Sequence, residues 1–266
     1  MHMDAGTFGP MLRRLRTARG LTQERLAGDA EVSPRHVSFL ETGRSSPSRE
    51  MVLVLGSALD LPLRDRNALL VAAGFAAVYS AASLGAPELG PVQRALDHLL
   101  AAQEPFPAVV VDRDWNVLQM NAGAQRLLAW ALEGLSPPPE VLGNGLRATL
   151  HPAGLRSRIV NYAEVAGVLV DRLQREMVLE PDEQRRARML ALVAEAELAK
   201  VPAPLVTAPP IPVLAVHLKK GDEELRLFTT LTTLGTPIDI TAEELRIESW
   251  FPADEATDRA LRALCP

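Results

Sequence analysis

The chain holds a single cysteine, Cys265, and only three lysines among its 28 basic residues. One thiol permits neither an intrachain disulfide framework nor a cysteine-based metal site, a pattern that fits a reducing cytoplasm. The lysine deficit reads as codon usage rather than chemistry. No apolar run approaches the roughly 20 residues that span a bilayer, so no membrane partner is expected. A signal-peptide pattern is absent from the N-terminus. The five histidines, His2, His36, His98, His151 and His217, show no metal-ligand spacing. Glycine-rich phosphate loops and a GxSxG elbow are also missing. Catalysis, a metal and a bound cofactor are therefore not expected.

What is present describes an ordinary globular protein, 47% hydrophobic and 23% charged. Its 266 residues leave room for two domains. The net charge of −5 averages unlike halves. Residues 1–79 carry ten Arg against eight acids, a net of +2, and the remainder 18 basic residues against 25 acids, a net of −7. A mildly basic module on an acidic body still binds phosphates if its cations share one face.

Residues 8–79 read as a run of short helices, with apolar residues three or four apart and Gly20, Gly43 and Pro62 as punctuation. A small-residue stretch, 80–90, reads as a linker. From 91 to 266 the period changes. Phe106–Val111 and Trp115–Met120 read as a hairpin around Asp112-Arg113-Asp114. Asn121 is placed to cap a helix through about Leu132. A long helix is expected over roughly 152–178 and another over 182–199, followed by a proline-rich loop, Val201–Pro212. Val213–Leu218 and Leu225–Leu231 read as paired strands, Glu244–Trp250 as a further strand and Asp254–Leu264 as a last helix.

Within the first module, Leu26 and Ala27 face inward, Ala30 and Val32 plug a turn, and Val37 and Leu40 bury the next helix. Thr22 can cap the first of these helices, and Ser33 followed by Pro34 gives the second an N-cap with proline at N1. That is the pattern of a helix-turn-helix. The stretch Leu15-Arg16-Thr17-Ala18-Arg19-Gly20-Leu21-Thr22-Gln23 through Leu40-Glu41-Thr42-Gly43-Arg44 resembles the phage-repressor-like (XRE) helix-turn-helix, over about residues 10–60. One departure is Glu31, at a turn position that often carries Gly. The resemblance implies that Ser33–Glu41 is a recognition helix in the DNA major groove. Arg35 would then contact guanine or only phosphate, and Phe39 would pack on a thymine methyl or fold under as core. His36 would pack or read DNA. Gln23, Arg44, Ser45, Ser46 and Arg49 fall where that family grips phosphates. Arg16 and Glu41 are implied to form a partly buried ion pair.

The second half also has a counterpart. Val52 through Gly74, Asp112 through Asn121 and Thr233 through Thr257 resemble the MmyB-like transcription regulators, most specifically at Leu234-Gly235-Thr236-Pro237, Leu245-Arg246-Ile247-Glu248 and Phe251-Pro252-Ala253-Asp254-Glu255. The resemblance implies a PAS-like antiparallel sheet with added helices, hence an α+β chain: an all-α helix-turn-helix bundle plus a ligand-binding and dimerisation domain. It also implies an apolar, fatty-acyl-like effector. Trp115, Val117, Met120, Trp130, Leu150, Tyr162 and Phe228 are candidate walls, and Asn121, His151, Asn161, Arg246 and Glu248 candidate head-group contacts. Glu248 shares a strand face with Arg246. Core packing of Trp115 and Trp130, an N-cap role for Asn121 and a turn role for His151 are the plainer readings. The expected protein is a homodimer, leaning toward a repressor, acting on a double-stranded operator. The alternative is a ligand-free dimerisation or protein-interaction module in the C-terminal half.

Overall fold

In the computed structural model, which describes residues 8–180, 182–196, 213 and 215–264, the chain divides into two units. One runs up to Ser83 and takes in Thr236–Glu243; the other comprises Leu84–Gly235 and the chain from Glu244 onward. The division falls inside the stretch expected as a linker.

The first unit contains α1 (Phe8–Ala18), α2 (Gln23–Asp29), α3 (Pro34–Glu41), α4 (Arg49–Ala58) and α5 (Leu63–Ala72). Three of them start on a hydroxyl. Thr22, Ser33 and Ser48 accept hydrogen bonds from the amides of Arg25, His36 and Met51, satisfying donors that the first turn leaves unpaired. Leu12, Leu26, Val37, Leu40, Leu55 and Leu69 meet in one fully buried core. Gly9 lets α1 approach the end of α3, since a Cβ there would lie 2.6 Å from the Glu41 carbonyl oxygen. Residues 236–243 join this unit through carboxylates: Asp239 Oδ2 accepts from Ser80 Oγ at 2.5 Å and from the Ala82 amide at 3.1 Å, and Glu243 Oε2 accepts from the Leu63 amide at 2.8 Å.

Glu31, between α2 and α3, sits at φ 55°. A side chain in that left-handed region costs on the order of 1 kcal/mol. Glu31→Gly removes this strain but gives the unfolded chain more freedom, so a net gain of about 0.5 kcal/mol is expected. Urea denaturation measures it, and a lower midpoint for the glycine variant defeats the strain argument.

The second unit is built on a five-stranded sheet of order β2-β1-β5-β4-β3, antiparallel throughout, from β1 (Ala108–Val111), β2 (Val117–Met120), β3 (Ala215–Lys220), β4 (Glu223–Thr232) and β5 (Arg246–Pro252). α6 (Gly90–Ala102) covers one patch, packing Leu96 and Leu100 on Ala108, Val110 and Ile247. The alternate residues Val111, Val216, Leu218, Leu225 and Leu227 join a larger core with residues of α7 (Ala122–Leu132), α9 (Gly145–Leu150), α10 (Tyr162–Leu179) and α11 (Glu183–Glu195). Between these elements lies α8 (Pro139–Leu142). After β4 come α12 (Ile240–Glu244) and, beyond β5, α13 (Glu255–Ala263), capped by Asp254.

The helix expected from about 152 begins instead at Tyr162. His151 is extended ahead of Pro152, and Ile159 forms a bridge with Leu218 of β3, so its apolar side chain belongs to the sheet edge. The expected loop over 201–212 and the end of the helix expected to 199 lie outside the described residues, as does Cys265.

Candidate functional site

Helix α3 presents two unlike faces. Val37, Leu40 and Glu41 are buried, whereas Arg35 is exposed and Phe39 half-buried. The Arg35 guanidinium lies 5.1 Å from the centre of the Phe39 ring and that of Arg44 5.9 Å, so the ring positions two cations by cation–π contact. Among the described residues no carboxylate pairs with Arg35, Arg44 or Arg49. Ser45 is half-buried and its amide donates to the Phe39 carbonyl oxygen at 3.2 Å, while Ser46 is exposed. His36 is half-buried in the first turn of α3.

Behind this face is a polar clamp. Arg16 donates from Nε to Glu41 Oε1 at 2.6 Å and from Nη2 to Oε2 at 3.1 Å, and its Nη1 donates to the Leu21 carbonyl oxygen at 2.6 Å. Gln23 Nε2 donates to the same Glu41 Oε2 at 2.7 Å. Burial alone would raise the Glu41 acid, but the bonds from Arg16 and Gln23 outweigh it and hold the carboxyl below the usual range. Gln23, expected at phosphate, thus spends an amide hydrogen on setting α3 against α1 and α2.

The second unit holds a partly open cavity of about 160 Å³ against the sheet. Its walls are Val109, Trp115, Val117 and Met120 of the hairpin, Leu127 of α7 and Leu169 of α10, with Trp250 of β5. Its polar side chains are few: Thr149, Thr229 and Glu248. Glu248 sits between Val109 and Leu231 in the strand register. Glu248 keeps part of its surface exposed, yet desolvation among the apolar walls pushes its acid up to about 7, against the opposing pull of Arg172 and a hydrogen bond with Thr229.

Trp115 forms one wall. It is buried at φ 66°, because Asp112 Oδ1 takes the amides of Asp114 and Asn116 and closes a tight turn around it. A bulky residue there is strained, and such strain gathers at functional sites. The guanidiniums of Arg172 and Arg246 lie 4.6 Å and 5.6 Å from its ring centre.

Trp115 and Leu146 also border a larger polar cleft of about 430 Å³. There Arg113 pairs with Glu180, Arg185 and Arg188 with Asp114, and Arg147 with Glu195. These charges tie the hairpin turn and α9 to α11 and leave each guanidinium occupied. The cleft is a brace.

A family model described as the MmyB-like transcription regulator ligand binding domain matches residues 92–264, and one described as a helix-turn-helix domain matches residues 7–69. The chain belongs to the MmyB-like transcription regulators. It is a DNA-binding helix-turn-helix regulator with a ligand-binding domain, not an enzyme. Two solved structures match part of this MmyB-like regulator. The restriction-modification controller protein C.AhdI from Aeromonas hydrophila is 38% identical, covering 24% of this chain and 98% of its own, with a TM-score of 0.23. The clp gene regulator ClgR from C. glutamicum is 31% identical over 28% of this chain and 92% of its own, with a TM-score of 0.24. Comparison with curated proteins gives no match. No described helix is long and apolar enough to cross a membrane.

In the ligand-binding domain of this MmyB-like regulator, Trp115, Val117, Met120 and Glu248 of the twelve expected contacts line the cavity. Asn121 is consumed by backbone: its Oδ1 accepts from the amides of Ala108 and Ala124, and its Nδ2 donates to the carbonyl oxygens of Leu100 and Phe106. Trp130 donates from Nε1 to Glu223 at 2.7 Å under the Lys220 ammonium. His151 Nδ1 accepts from the Ala153 amide, a turn role. The Tyr162 hydroxyl lies 3.0 Å and 2.9 Å from the carbonyl oxygens of Leu150 and Ala196. Phe228 points to the opposite side of β4 from Thr229 and stacks on Phe251. Arg246 stands beyond Trp115, 3.8 Å from Glu176. Thr229 and Trp250 were missed; for Trp250 its place two residues after Glu248 on one strand face was the available signal.

Proposed function

We propose that this MmyB-like regulator is a cytoplasmic homodimeric repressor of a palindromic double-stranded operator, relieved by a small apolar effector. The observation that carries the effector reading is the apolar cavity inside the region matched as a ligand-binding domain. An interaction module has no need of such a space. A cavity near 150 Å³ lined by hydrocarbon accepts a molecule about the size of benzene. A fatty-acyl effector in the form expected from the family resemblance requires a short chain or a wider cavity. Dimerisation is supported by the head itself, because one eight-residue recognition helix reads only one half-site. The effector relieves repression by binding better to the arrangement of heads that does not fit the operator.

The test fills the cavity. Leu127→Trp is expected to keep operator affinity while abolishing the response to an effector extracted from the purified protein. Sedimentation of the operator complex is expected to give two chains per site, with protected half-sites about 10 base pairs apart. A single chain per operator, or an undiminished effector response in the filled variant, defeats the proposal.

A further inference from the structure

The connection between β4 and β5 leaves one unit and is built into the other. Thr232 ends β4 and Arg246 begins β5 of the ligand-binding domain, yet residues 236–243 belong with the DNA-binding unit. Both strands line the cavity, β4 through Thr229 and β5 through Glu248 and Trp250.

The attachment is firmer than a surface loop needs. Asp239 is 7% exposed, and its carboxylate accepts from Ser80 Oγ, from the Ala82 amide and from the Thr241 and Ala242 amides of α12. Burial would raise its acid, but these bonds outweigh it and hold the carboxyl below the usual range. The Ile240 amide donates to the Ser80 carbonyl oxygen at 2.8 Å, and the Ile240 and Ala242 side chains are buried. Glu243 then caps α5 from outside. That helix starts after Pro62, which supplies no side-chain cap, and its Leu63 amide donates to Glu243 Oε2 at 2.8 Å. A carboxylate there also meets the positive end of the helix dipole.

The bonded set reaches the head's core. Asn67 of α5 takes the Val78 and Tyr79 amides on Oδ1 and donates from Nδ2 to the Tyr79 carbonyl oxygen, which ties α5 to the segment that Asp239 holds. Leu69 and Leu70 of α5 share one core with Val37 and Leu40 of α3. On the other side there is little slack. α12 runs to Glu244 and β5 begins at Arg246, so buried Leu245 alone joins the anchored helix to a cavity strand.

We propose that this connection is a strap that passes the state of the cavity strands to α5 and through it to α3. Such coupling needs a contiguous chain of packed and hydrogen-bonded residues, and the strap supplies one. The inference rests on the effector reading above only for what perturbs the strands, and its test uses no effector.

Two glycines inserted between Glu244 and Leu245 slacken the strap and leave both anchoring carboxylates in place. Ile247→Ala then perturbs β5 in the native and in the slackened full chain. In the native chain it is expected to speed hydrogen exchange at the start of α5 about tenfold, and to weaken binding to the best duplex selected from a randomised pool about fivefold. In the slackened chain both readings are expected to stay within about twofold of its own parent. Should circular dichroism show Ile247→Ala unfolded, Ile247→Val repeats the comparison with a milder change and an expected contrast of about threefold. Equal changes in the native and slackened chains, or no change at α5 in either, overturn the strap. Neither result bears on the cavity's occupant, which the filled variant Leu127→Trp tests separately.

Discussion

Glu41→Ala is expected to destabilise the DNA-binding unit by about 3–5 kcal/mol, because it strands a buried guanidinium. The side chains of Arg16 and Glu41 are 10% and 1% exposed, so water does not take over the lost bonds. Arg16 loses two of its three hydrogen bonds and Gln23 its acceptor, and α3 loses its polar tie to α1 and α2. A loss of this size is a large fraction of the stability of a small domain. Urea denaturation of the full chain is expected to show an early transition in the variant, accompanied by loss of operator binding. Replacing both partners with hydrophobic residues, Arg16→Met with Glu41→Leu, is expected to recover most of the loss, since no charge is left unpaired. The same pair sets an acid limit. The Glu41 carboxyl is depressed in the folded state, so its contribution is complete above its ordinary value of 4.5 and disappears as the pH falls through the lower folded value. Equal stability of wild type and Glu41→Ala at neutral pH would refute this account.

Arg35→Ala is expected to weaken operator binding by about 1–3 kcal/mol per half-site, roughly 5- to 150-fold, and to relax the preference at one base pair of each. The argument is geometric. Arg35 is exposed one residue into α3, its guanidinium is held over Phe39, and no described carboxylate competes for it. Arg49→Ala, at the start of α4, is expected to behave differently: a similar loss on every sequence and a salt dependence shallower by about one unit. Binding measured across a library of single-base operator variants separates the two. An unchanged base preference in Arg35→Ala would confine Arg35 to the phosphates.

The head was legible because its signals are local. Thr22, Ser33 and Ser48 stand one residue before their helices, Pro34 sits where a missing amide costs nothing, and Leu26, Val37 and Leu40 fall at helical spacing. Even Glu31 at positive φ follows from a turn of fixed length. Gln23 was harder to place, since a residue at the start of α2 can face solvent or Glu41 with equal ease. Only the packing of three helices selects Glu41.

The cavity shows the opposite case. Hairpin, strands and helices of the second unit follow from periodicity, yet which residues surround a common space depends on how distant strands meet. Phe228 and Thr229 are neighbours in sequence, and the pleat sends one onto Phe251 and the other toward Glu248. Asn121, Tyr162 and Trp130 are polar-tipped residues that a sequence offers equally to ligand or backbone, and in the folded chain their polar atoms are already taken. The expected helix from 152 misplaced its start because the bridge of Ile159 to Leu218 spans 59 residues of chain. Sequence alone therefore determined the helix caps, the buried stripe of the head and the family, all set by neighbours within a few residues. Tertiary structure decided which side of each strand faces the cavity and left Glu248 within it, because strand pairing across the sheet sets those positions together.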